Sequence, residues 1–154
     1  MSGARRIIFL LALAGLVFGA PACGNSGPPQ LGVRQGRLAP CPASPNCVAS
    51  QEPNPERRTP PFACSGPPDE AMARLRAIIK SMPRARIVKE EPDYLRAEFA
   101  SRVFGFVDDL ELWHDRKAGV IQVRSAARTG YWDLGVNRER VAQLRALFNH
   151  SAAN

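Results

Sequence analysis

The chain has 154 residues, 45% apolar and 23% charged, with 18 Arg, 3 Lys and a formal net charge of +7. That length allows one domain. The apolar share excludes a disordered tail, and the charged share excludes a multi-span membrane protein.

Residues 1–22 read as an export signal. Arg5 and Arg6 supply a positive start, 7–20 an uncharged and mostly apolar stretch, and Ala20-Pro21-Ala22 a small-x-small cleavage pattern. A stretch of that length falls short of the roughly 20 residues that cross a bilayer as a helix. Cys23 follows at once, then Gly24-Asn25-Ser26-Gly27. This layout resembles a bacterial lipoprotein signal, in which the cysteine is lipidated, although Ala20 and Pro21 depart from the usual lipobox. Two outcomes stay open. A lipid on Cys23 would hold the protein to the membrane surface facing the periplasm, and ordinary cleavage would release a soluble periplasmic protein. Residues 23–39 are expected to be a flexible tether.

Loss of residues 1–22 removes two arginines and leaves a net charge of +5. Outside the cytoplasm that excess does not point to nucleic acid. It suits anionic lipid headgroups or a solvated surface of mixed charge.

Residues 40–68 are a Pro-rich arm. Eleven of the fourteen prolines lie in 24–68, where Phe62 is the one aromatic, so the segment has little apolar surface to offset its ordering entropy. Export implies an oxidising compartment. Cys41 and Cys47 bracket a short Pro-containing loop and are expected to pair, with Cys64 left free or pairing instead with one of them. A zinc site fits poorly, because the five-residue gap lacks a second Cys or His pair. A nucleophilic Cys47 would need His114 or His150 as its base, and neither is well placed. No cofactor is expected.

From residue 69 to 150 the pattern is that of a compact α+β domain. Pro67-Pro68 with Asp69 and Glu70 opens a helix, since proline suits the first turn and negative charge suits the N-terminal dipole. Met72, Leu75, Ile78, Ile79 and Met82 form its buried stripe, and Pro83 ends it. Four strand-like runs follow, at 86–91, 94–101, 104–114 and 120–126. A Pro92-Asp93 turn and an Asp115–Gly119 turn make them antiparallel neighbours. A second helix starts near Asn137, read as its N-cap, with Val141, Leu144, Leu147 and Phe148 facing inward. The expected fold is a four-stranded antiparallel sheet with one wet face and both helices on the other.

The polar residues concentrate late in the chain. Asp108, Asp109 and Glu111 interrupt an apolar strand, and Arg124, Ser125, Arg128, Asp133, Asn137 and Arg138 occupy the next strand, loop and helix start. Asp109 and Glu111 share one strand face and Asp108 lies on the other. Arg124 is placed to face one of these carboxylates across the hairpin.

Three separated motifs carry a family resemblance. They are Leu38-x-Pro40-Cys41-Pro42-x-Ser44-Pro45-Asn46-Cys47-Val48-x-Ser50, then Tyr94-Leu95-Arg96-Ala97-Glu98-Phe99 with Phe104-Gly105-Phe106-Val107-Asp108-Asp109, then Val123-Arg124-Ser125-Ala126-x-Arg128-x-Gly130-Tyr131-x-Asp133-x-Gly135-Val136-Asn137-Arg138. Together they resemble the bacterial domain-of-unknown-function family DUF1499. The resemblance implies no activity. It does imply that the arm from about residue 40 to 50 docks on the compact domain. Ala49, where the family often has a second serine, and Cys64 depart from its pattern.

Three functional readings follow. The first is a non-catalytic binding or structural module, with Asp108, Asp109 and Glu111 in a network with the arginines. The second is a pocket for an anionic small molecule or lipid headgroup built from Arg124, Arg128 and Arg138 at the N-terminus of the last helix. The third is a hydrolase using two of the strand carboxylates. Convergence of the three guanidinium groups on a cavity would favour the second reading over the first.

Overall fold

The computed structural model describes residues 31–64, 66–102 and 105–151. Residues 1–30, which include the stretch read as an export signal and Cys23, and Phe104 lie outside the described residues.

Helix α1, Pro68–Ser81, carries Asp69 and Glu70 in its first turn and Lys80 in its last, so its charges match the helix dipole at both ends. Ala71, Met72, Leu75 and Ile79 are buried. The C-cap residue Met82 is already extended, as the α-region is disfavoured before Pro83. Strands β1 (Cys47–Ala49) and β2 (Phe62–Ala63) precede α1. Strands β3 (Ala85–Glu91), β4 (Tyr94–Ala100), β5 (Val107–Asp115) and β6 (Val120–Ala127) follow it, then helix α2, Val136–His150. The β5–β6 turn is closed by Asp115, whose carboxylate accepts from Ala118 N at 3.1 Å and whose carbonyl accepts from Gly119 N at 2.8 Å.

Every strand pairing is antiparallel, in the order β1-β6-β5-β4-β3, with β2 also on β6. The fold is α+β as expected, but the sheet has six strands and not four. The two additional strands come from the Pro-rich arm. Both sit on the outer edge of β6, where Cys47–Ala49 faces Ala126 to Arg124 and Phe62–Ala63 faces Ile121 and Val120. Between them, Ser50 N donates to Val123 O at 2.8 Å, and the Ser50 hydroxyl accepts from Val123 N at 2.9 Å. An uncovered edge would leave a row of unpaired backbone groups, and the arm satisfies them. Strands of two or three residues flanked by proline carry no periodicity, which is why the sequence reads as arm there.

The core lies between one sheet face and the two helices. Leu95, Leu110, Leu112, Ile121 and Val123 from the sheet meet Leu75, Ile79, Val141, Leu144 and Phe148 from the helices, with Phe62 of the arm among them. The Phe62 and Phe148 rings meet edge to face at 5.6 Å.

The opposite face is not simply wet. Residues 31–39, expected as tether, lie against it instead. Arg34 and Arg37 exchange backbone hydrogen bonds of 2.8 and 3.0 Å across a tight turn, with positive φ at Gln35 and Gly36. Leu38 is buried, and its N–H donates to Gln51 Oε1 at 2.9 Å.

Candidate functional site

The charged strand residues divide between the two faces. On the face away from the helices, Glu111 is completely buried. One carboxylate oxygen accepts from Tyr94 Oη at 2.7 Å and from Gly32 N at 2.7 Å. The other accepts from Arg124 Nη1 at 3.1 Å, and Arg124 stands directly opposite on β6. Burial, reinforced by the adjacent Glu111 carboxylate, pushes the Tyr94 hydroxyl well above its usual range, so Tyr94 stays a neutral donor. Further along this face Arg128 grips Asp109 through Nε at 2.7 Å and Nη2 at 2.8 Å, and also meets Glu98. Hydrogen bonds donated to Asp109 and then to Glu98 raise the Arg128 pKa. Arg86 hydrogen-bonds Glu98 at 2.7 Å and with Arg128 holds its carboxyl below the usual range.

On the helix side Asp108 pairs with Arg140 at 2.6 Å. Arg140 also donates to Ser125 Oγ at 3.1 Å and Asn137 Oδ1 at 2.6 Å, and its guanidinium lies 4.6 Å from the Phe99 ring centroid. Ser125 Oγ donates to Asn137 Oδ1 at 2.6 Å. Arg140 is absent from the sequence-derived set. Its signal was helical spacing, three residues after Asn137.

Asn137 is not the N-cap of α2. The cap residue is Gly135, with φ +83° and no side-chain capping bond. Asp133 acts instead, accepting from Gly135 N at 3.0 Å, Asn137 N at 2.9 Å and Asn137 Nδ2 at 2.9 Å. Burial raises the Asp133 pKa, but these hydrogen bonds outweigh it and leave the carboxyl below its usual range. The helix N-terminus thus already holds a carboxylate of its own chain. The Asn137 side chain turns inward and donates to Asn46 O at 3.3 Å, tying the arm to the helix.

Arg124, Arg128 and Arg138 do not converge. Arg124 and Arg128 bind Glu111 and Asp109. Arg138 donates to the carbonyls of Arg58 and Glu56. Of the three, Arg138 alone lines a groove of about 390 Å³. One wall of that groove is the disulfide loop at Pro45 and Cys47. A second is the short 3-10 helix Pro55–Arg57, with Asn54 before it. The third is Tyr131, Trp132 and Asp133 with the first turn of α2. Tyr131 and Trp132 are 75% and 70% exposed; Tyr131 belongs to the third sequence motif, whereas Trp132 carries no signal there.

Cys41 and Cys47 form a disulfide, which removes Cys47 as a nucleophile. Cys64 is free, and burial pushes its thiol pKa up against the opposing pull of Arg74. His114 is buried and lies 3.2 Å from Asp93 through Nδ1. Among the described residues no three His, Cys, Asp or Glu side chains are grouped to hold a metal ion, and no helix is long and apolar enough to cross a membrane.

Comparison with curated proteins and with solved structures returns no match. The family model described as "Protein of unknown function (DUF1499)" matches residues 37–148. That span takes in the arm, the whole sheet, α1 and all but the last two residues of α2, and the chain belongs to this family.

Proposed function

We propose that the chain is an exported, lipid-anchored cell-envelope protein acting as a non-catalytic binding module. The observation that carries the non-catalytic part is the pairing of the strand carboxylates. Asp108, Asp109 and Glu111 each meet an arginine, Arg140, Arg128 and Arg124 respectively. A general acid or base must exchange a proton with substrate, whereas these groups are committed to holding strands, arm and helix together. The Cys41–Cys47 disulfide supports an oxidising, exported location, in line with the apolar start of the chain. The anchor would be a lipid on Cys23, making the membrane surface the first partner.

The test is fractionation of cells expressing the native chain and Cys23→Ser. The native protein is expected with membranes and the variant in the soluble fraction. A variant that still pellets with membranes defeats the lipoprotein reading.

A further inference from the structure

We propose that the groove between the disulfide loop, the 3-10 helix and the β6–α2 loop is a binding site for a neutral saccharide chain, with Trp132 and Tyr131 as its stacking platforms. The proposal rests on the binding-module reading and names its ligand class.

The walls are fixed before any ligand arrives. Asn46 Nδ2 donates to Gly130 O at 2.5 Å, which pins the start of the aromatic loop to the arm. Asp133 pins its end to α2. Arg138 bridges α2 to the backbone around the 3-10 helix, and Arg57 reaches back to Pro42 O in the disulfide loop. Two stretches of the arm and the distant β6–α2 loop are cross-braced around one space, so little ordering cost falls on binding. Its volume of about 390 Å³ lies within the roughly 300–1,000 Å³ of small-ligand clefts.

The lining chooses the chemistry. Two consecutive aromatic side chains stand in water on a loop whose backbone is immobilised, although such rings normally bury their faces. Beside them lie an amide (Asn54), two carboxylates (Glu56, Asp133) and two guanidinium groups (Arg57, Arg138). A sugar ring presents the same duality: a C–H face that packs on an aromatic ring, and hydroxyls that both donate and accept. The two positive and two negative groups cancel, so the groove has no net charge to attract a polyanion or an anionic bilayer.

The test uses the mature chain carrying Cys23→Ser, so that a lipid does not dominate the result. Calorimetric titration with an N-acetylglucosamine tetramer and with maltotetraose is expected to give saturable binding for at least one. Trp132→Ala should weaken that binding at least tenfold at an unchanged melting temperature, since the side chain makes little contact in the folded domain. Absence of saturable binding to both sugars, or equal binding by the variant, overturns the proposal. Vesicles of anionic phospholipid provide the second arm. If Trp132 fluorescence responds to vesicles and neither sugar binds, the saccharide assignment fails while the binding-module reading survives. If neither vesicles nor sugars engage Trp132, the assignment fails and the module reading loses its site.

Discussion

Glu111 is fully buried, and bonded by a tyrosine, an arginine and the backbone N–H of Gly32. Burying a carboxylate is costly, and the cost is offset only where each oxygen is satisfied. The arrangement predicts an asymmetry among the arginines. Arg124→Ala would strand a buried carboxylate, which typically costs about 3–5 kcal/mol. Arg76→Ala would remove a bridge to the partly exposed Glu90, a class worth about 0–1 kcal/mol. Thermal denaturation should show a much larger drop for Arg124→Ala, and equal melting temperatures would contradict the network. Half of this was legible beforehand. The hairpin turn sets Arg124 against one of the strand carboxylates, and the observed register makes that carboxylate Glu111. The contribution of Gly32 was not, because its partner lies 79 positions away.

At the scale of elements, α2 and the sheet edge depend on residues that look like loop. Asp133 precedes the helix yet supplies its N-terminal acceptor, a role worth about 1–2 kcal/mol for a capping side chain. Asp133→Ala is therefore expected to lower stability by that order at neutral pH. The pH dependence has a definite sign. The folded-state pKa of Asp133 is depressed, so its stabilisation is present above the ordinary aspartate range near pH 4. It is lost as pH falls through the folded value. Denaturant melts from pH 7 down to pH 3 should show the native–variant gap closing toward acid, and a gap constant with pH would remove the capping carboxylate as its source. The sequence pointed instead to Asn137, which has the right chemistry for a cap but lies two residues past it, inside the helix. Gly135 in the left-handed region resets the start of α2, and that backbone choice is not readable from side-chain preference.

On the scale of the whole molecule, the segment from residue 31 through the arm is a strap. It crosses the face opposite the helices near Gly32 and Leu38, turns at the disulfide, and runs along β6 through Val48, Ser50 and Phe62 before entering α1. The Cys41–Cys47 loop spans six positions, for which loop entropy gives about 2 kcal/mol of stabilisation. Reduction, or Cys41→Ser with Cys47→Ser, is expected to lower the melting temperature without unfolding the core, because Phe62 and Val48 still dock by apolar burial. A melting temperature unchanged by reductant would mean that the arm holds its place by packing alone.

The two helices, the four longer strands and their antiparallel neighbours were legible in the sequence, with Cys41–Cys47 as the expected pairing. These follow from periodicity, from turn residues and from cysteines close along the chain, all of which act locally. Tertiary structure alone decided that the Pro-rich arm completes the sheet, and that Arg124 and Arg128 turn to internal carboxylates. It also decided that Tyr131 and Trp132 stand beside a cross-braced groove. The reason is distance along the chain. Asn46 meets Gly130 and Asn137 across 84 and 91 positions, and contacts of that range arise only once the sheet edge and the core exist to receive them.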